Sequence, residues 1–291
     1  MSKISIRFFN DTEVRAIWSA EKNTWYFSVV DIVGILSNSK NPRNYWKVLK
    51  SRLKKEKNEL VTNCNQLKLI ANDGKKYLTD CLEQKYIITL TENVPSKMSS
   101  SFIKWFTYND ETIDGKSKTK AYSMFDTSFI NSIEVGTIKG LQQIHSYLFG
   151  GLYDFAGQIR TKNISKGGFS FAQAQFLQQT LKNIEEMFES SFEEIVAKYV
   201  EMNIAHPFME GNGRSTRIWL DLLLKKNLKI CIDWSKIKKY DYLDAMKKSV
   251  CDTTDIYNLL TNATTDMIDD REMFMKGIDY SYYYEEEVDI Q

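Results

Sequence analysis

The rhythm of apolar and polar positions changes near residue 108. Before it, periods of two and of 3.6 are mixed. Residues 24–30 (Thr-Trp-Tyr-Phe-Ser-Val-Val) are dense in aromatic and β-branched side chains and predict a strand. Asp31 is placed to cap a helix through Leu36, and Pro42 to open another through Tyr45, Val48, Leu49 and Leu53. Residues 60–79 read as strands joined by the turn Asn72-Asp73-Gly74. The polar, poorly periodic residues 109–120 read as a linker. Beyond it helical spacing dominates. Residues 137–149 carry a stripe of Ile138, Leu141, Ile144, Tyr147 and Leu148, and residues 192–205 repeat it with Ile195, Tyr199 and Met202. Residues 214–226 are so rich in leucine and tryptophan that a nearly enclosed helix is expected. Between these helices, residues 163–171 alternate around Gly167-Gly168, as in a short β-hairpin. The expected fold is mainly α: an α+β domain over 1–108, a linker over 109–120, and a helical domain with a small hairpin over 121–291.

Composition narrows the class without naming a partner. The 291 residues are 43% hydrophobic and 26% charged, which suits a globular protein of two domains. A net charge of +1 gives no global electrostatic hint. The first residues lack an apolar segment followed by a cleavage site, and no long uncharged apolar run occurs, so a cytoplasmic protein without a membrane role is expected. Cys64, Cys81, Cys231 and Cys251 lack zinc-ligand spacing and read as reduced thiols. Whether the chain forms a homo-oligomer stays open.

Residues 206–217, His-Pro-Phe-Met-Glu-Gly-Asn-Gly-Arg-Ser-Thr-Arg, concentrate the chemistry. Asn212 is a good cap for the helix that follows, and a helix N-terminus receives phosphate. Gly211 and Gly213 let the backbone approach phosphate oxygens. Arg214 and Arg217, at i and i+3, put two guanidinium groups on one face for successive phosphates. Glu210 suits Mg²⁺, which prefers carboxylate and phosphate oxygens. The chain has two histidines; His206 ends a helix beside this turn and is the expected base, whereas His145 reads as a packing residue. Pro207 and Phe208 read as anchors of the loop. A base, a carboxylate, a glycine turn and two arginines fit transfer from a nucleoside triphosphate onto a hydroxyl.

The order of these residues resembles the signature of the Fic family, which attaches AMP to protein side chains; the likeness extends over about 121–291. It implies ATP as substrate, a hydroxyl-bearing target protein, and a flap that docks the target by strand pairing. The hairpin sits where that flap would be, and Ile164, Lys166 and Gly167 are its expected contacts. Gly213, where family kinases carry lysine, favours nucleotidyl transfer. The end of the chain resembles the family's C-terminal inhibitory helix, expected over about 270–287 with pattern Ser/Thr-x-x-x-Glu-Gly/Asn. Ser281 and Glu285 match; Glu286 departs from the pattern. Glu285 would pair with Arg217 and deny it to the γ-phosphate, and Tyr282, Tyr283 and Tyr284 would offer hydroxyls for self-modification.

Residues 13–108 resemble the BRO-N type, implicated in DNA binding. The likeness rests on residues 25–31, 41–47 and 60–68. Independently, residues 38–57 hold eight basic residues against one acid, which suits phosphates of DNA, although a solvated face or a protein partner fits too. Two alternatives stay open: a hydrolase that removes AMP, and a DNA-binding regulator whose Fic domain only senses nucleotide.

Overall fold

The computed structural model describes residues 3–71, 73–108, 112–166 and 168–286. Asn72 of the expected turn, the expected contact Gly167, residues 109–111 of the expected linker, and residue 287 of the expected tail helix lie outside them. The chain divides into two compact units, one up to Thr112 and one from Ile113 onward.

The first unit is α+β. Strands β1 (Lys3–Phe9), β2 (Thr12–Ser19), β3 (Thr24–Ser28), β4 (Asn65–Ile70) and β5 (Lys76–Glu83) form one antiparallel sheet in the order β1-β2-β3-β5-β4. Helices α1 (Val29–Ser37), α2 (Pro42–Lys55), α3 (Glu59–Thr62), α4 (Ile87–Glu92) and α5 (Ser99–Tyr108) accompany it. Val14, Ala16, Phe27 and Leu82 line the core with Ile32, Leu36, Leu53, Leu90 and Phe102. Period-two alternation in the strands sends these residues to one face.

Several local expectations are corrected here. The strand at 24–30 ends at Ser28, whose hydroxyl accepts from Asp31 N and caps α1. Asp31 is not the cap; its carboxylate is taken by the Arg15 guanidinium at 2.7 and 2.8 Å. A serine before the helix satisfies an orphan N–H equally well, which frees the aspartate for the ion pair. Leu60 lies in α3, not in a strand. Pro42 does open α2, but Val48 points outward and is 64% exposed.

The second unit is helical. It contains α6 (Ile113–Asp126), α7 (Ile138–Phe149), α8 (Ala174–Glu185), α9 (Phe192–Ala205), α10 (Asn212–Leu228), α11 (Lys239–Lys248), α12 (Thr254–Asn262) and α13 (Arg271–Tyr283). Two small ribbons, β6 (Ser165–Lys166) with β7 (Phe169–Ser170) and β8 (Cys231–Ile232) with β9 (Thr264–Thr265), complete it. Helix α9 starts on a reciprocal Ser191–Glu194 capping box, worth about 1 kcal/mol. Helix α10 runs through the middle: Ile218, Trp219, Leu220, Leu222, Leu223 and Leu224 are all buried. Such all-round apolarity demands neighbours on every side, and α7, α9 and α13 supply them.

The expected linker is corrected over its second half, where α6 begins at Ile113. Its polar residues misled because they are satisfied inside the unit. Ser117 is buried with its Oγ 2.6 Å from Tyr282 Oη, Lys118 pairs with the buried Asp279 at 2.7 Å, and Tyr122 donates to the same carboxylate. Among the described residues, no helix is long and apolar enough to cross a membrane, and the four cysteines are free.

Candidate active site

His206 caps α9 in the left-handed conformation (φ 49°, ψ 66°). Two contacts fix its ring. Phe171, which follows β7, stacks on the imidazole at 3.7 Å between centroids, and Nδ1 lies 3.1 Å from the Asn203 carbonyl. A carbonyl only accepts, so Nδ1 carries the proton and Nε2 keeps its lone pair. Burial pulls the imidazole down to about 4, against the upward influence of the Asn203 carbonyl and Glu285. The ring is therefore neutral near pH 7, as a general base must be.

The turn that follows is held by side chains turned inward. Asn212 Oδ1 accepts from Phe208 N and its Nδ2 donates to Phe208 O, both at 2.8 Å. Asn212 is the first residue of α10, and the cap is Gly211 at φ +78°. This corrects the expected cap: the amide is used to close the 208–212 loop, and glycine takes the strained position. A Cβ on Gly211 would strike the Phe149 ring. Phe208 is fully buried against His145, with ring centroids 3.8 Å apart. His145 Nδ1 accepts from Gly157 N at 2.8 Å, so its Nε2 donates to the Glu210 carbonyl at 2.9 Å. His145 is thus a structural clasp on the loop.

The two arginines are both occupied. Arg217 is 2% exposed; its Nε donates to Ser281 Oγ (2.8 Å), and its Nη2 to Ser281 O (2.7 Å) and Glu285 Oε1 (2.6 Å). Tyr242 and Tyr284 flank its guanidinium, each ring centroid 5.5 Å away. Burial pushes the Glu285 carboxyl up, but Arg217 overrides it, with Arg214 and Lys166 adding, and takes it down to about 2. Gly213 leaves room for this pair, since a Cβ there would collide with Glu285 Oε1. Glu285 lies two residues past the end of α13, because the helix stops at Tyr283 rather than running to 287. Arg214 donates to Glu210 at 2.9 Å and to Asp114, and its buried Nε has no hydrogen-bond partner among the described residues.

The flap is lightly built, with two residues in each strand. Ile164 O accepts from Phe171 N at the open end of the ribbon, and Lys166 Nζ sits 3.7 Å from Glu285 Oε2. The tyrosines proposed as acceptors are corrected for this state. Tyr282, Tyr283 and Tyr284 are all buried. Tyr282 Oη bonds Ser117, and Tyr284 Oη donates to the Trp234 and Ile237 carbonyls. Aromatic rings next to a helix end pack inward wherever a neighbour can cover them, as these three do here.

Two residues escaped sequence reasoning. Asp114 falls within the expected linker but lies in the first turn of α6 and accepts from Arg214. Arg160, 4% exposed, donates to four carbonyls: His206 (2.7 Å), Ala205 (3.0 Å), Ala172 (2.5 Å) and Lys162 (2.7 Å). It ties both feet of the flap to the base loop. No spacing rule reveals an arginine whose partners are all backbone.

A Mg²⁺ ion fits the donors only together with phosphate. Glu210 is half exposed, yet no cluster of three His, Cys, Asp or Glu ligands occurs among the described residues. Substrate phosphates and water would have to complete the shell, as Mg²⁺ prefers.

Residues 136–224 match the model of the Fic/DOC family, a stretch that takes in α7, the flap, α8, α9 and most of α10. Protein adenylyltransferase VbhT of Bartonella schoenbuchensis is 29% identical over 154 residues, covering 46% of this chain and 32% of the relative. The match thus spans about a third of that relative's length. The probable protein adenylyltransferase y4lH of Sinorhizobium fredii is 26% identical over 140 residues, 43% of this chain and 72% of the relative. Among solved structures, the BepC effector of Bartonella tribocorum with bound AMPPNP is similar at TM-score 0.46 and 18% identity, over 55% of this chain and 87% of that chain.

Proposed function

We propose that the second unit is a protein adenylyltransferase that moves AMP from ATP to a hydroxyl side chain and is held off by its own C-terminal segment. The observation that carries this reading is the pairing of a neutral, ring-clamped His206 with a phosphate-type turn whose Arg217 is closed by Glu285. The names of the curated relatives support the reaction class.

The chain's residues divide the work. His206 Nε2 takes the proton of the incoming hydroxyl. The hydroxyl oxygen bonds to the α-phosphorus as the α–β bridging bond breaks, and pyrophosphate departs. The N-terminus of α10, Arg214 and Arg217 bear the polyphosphate charge, which is the main demand of phosphoryl-type transfer. Glu210 would hold Mg²⁺, which when bound offsets charge on the leaving group. With Glu285 on Arg217, the γ-phosphate loses its partner and ATP sits unproductively. The Glu285→Gly protein, incubated with ATP and Mg²⁺, is expected to gain AMP adducts by intact mass, whereas wild type stays largely unmodified. Equal masses in both would remove the inhibitory role. AMP release from a modified target without ATP would favour the hydrolase alternative.

A second role belongs to the first unit, where the BRO-N resemblance implies DNA. Arg43, Lys47, Lys50 and Lys54 lie on one stripe of α2 and line a groove of about 580 Å³. Lys50 is tied to Asp80, while Arg43, Lys47 and Lys54 are exposed. Duplex DNA binding should then weaken with salt at a log–log slope of about −3. Affinity that ignores salt would argue for a plain solvated face.

A further inference from the structure

Arg217 and Arg214 stand one helical turn apart, and each carries an acid from outside the loop. Arg217 carries Glu285, from beyond α13; Arg214 carries Asp114, from the first turn of α6. We infer that Asp114 is a further nucleotide-site residue, a placeholder on Arg214 that the incoming phosphate must displace and that thereby sets affinity for ATP. The inference rests on the proposed nucleotide reading of the site.

The geometry suits a displaceable partner. Arg214 is 4% exposed, and its guanidinium lies 5.2 Å from the Phe149 ring centroid and 5.6 Å from that of Tyr282. Its Nη2 is held by Glu210, a neighbour within the loop, and its Nη1 by Asp114. Among the described residues its buried Nε has no hydrogen-bond partner, so the fork has unused donor capacity. A buried guanidinium short of acceptors favours a ligand with several anionic oxygens. The Asp114 side chain is 49% exposed, against 19% for Glu285. A half-hydrated carboxylate returns to water at small cost, whereas one buried against the enclosed Arg217 guanidinium needs its whole segment to move. The two acids therefore differ in kind: Glu285 blocks, and Asp114 competes. Asp114 also lies one turn before Ser117, which holds Tyr282 of α13, so the competitor is mounted on a helix already fixed to the tail.

The test is MgATP binding by calorimetry to four proteins: Glu285→Gly alone, with Asp114→Asn, with Arg214→Ala, and with both. Asp114→Asn should tighten binding about three- to tenfold, and this gain should vanish when Arg214 is alanine. Asp114→Ser, checked by thermal melting, repeats the measurement with a second neutral side chain. Binding by Glu285→Gly that Asp114→Asn leaves unchanged or weakens overturns the assignment of Asp114 alone. Failure of Glu285→Gly itself to bind MgATP overturns the site reading with it.

Discussion

In the loop of residues 206–217 almost every side chain is committed. Asn212 returns two bonds to Phe208, Phe208 lies against His145, and Arg217 is enclosed by Ser281 and Glu285. In the flap two strands of two residues face solvent, with Ser165 and Lys166 both exposed. The proposed transfer asks the loop to hold reacting atoms within tenths of an ångström, and buried hydrogen bonds suit that demand. Under the proposed function the hairpin would accept a strand from outside, and open backbone edges serve that better than a filled ribbon. Arg160 joins the two, since its guanidinium grips carbonyls from both.

The sharpest way to break this contrast is to remove the base from the rigid side. In a Glu285→Gly background, His206→Ala should lower AMP transfer by about 10²–10⁴-fold with MgATP affinity nearly intact. Retained transfer would mean that another group takes the proton. A smaller effect is expected from Arg160→Lys. One ammonium has three donors and cannot reach four dispersed carbonyls, so kcat should fall about tenfold or more while MgATP affinity holds. Equal loss of binding would show that Arg160 supports the whole fold rather than the flap-to-base geometry.

Acidity sharpens the comparison further. The depressed His206 value of about 4 leaves the imidazole neutral near pH 7, so transfer by Glu285→Gly should be flat between about pH 6 and 8 and decline only on approach to 4. Loss of Glu285 removes an upward influence on the ring, so this acid limb should not rise. An inflection near about 6.5 would indicate an ordinary exposed imidazole. The smallest effect concerns the tail. The Glu285 carboxyl is lowered to about 2, so its contribution to docking is complete above its ordinary value of 4.5 and is lost as pH falls toward 2. Hydrogen exchange of α13 in the wild type should thus stay slow from pH 7 down to about 5. Earlier release would point to a different titrating contact.

Residues 206–217 were legible as a unit because glycine turns and an i,i+3 arginine pair follow from local spacing; the cap was not, since Asn212 turns its amide back on Phe208 and Gly211 takes the cap position. The helices at 138–149 and 192–205 were legible from their apolar period; the structure adds Thr137 and Ser191 as their caps. What escaped depends on distant partners. Ser28 displaced Asp31 as a cap only because Arg15, sixteen residues away, claims the carboxylate. Polar α6 resembled a linker because Asp279 and Tyr282, which satisfy it, lie more than 150 residues downstream. Asp114 and Arg160 were hidden for the same reason: their roles are defined by groups that no short window contains.

Transfer of the α-phosphoryl group with its nucleoside is tested by comparing two radiolabels. Glu285→Gly protein incubated with Mg²⁺ and ATP radiolabelled at the α-phosphate should acquire stable protein-bound label, and with ATP labelled at the γ-phosphate should acquire none. Label from the γ-position, or from neither, would rule out nucleotidyl transfer by this site.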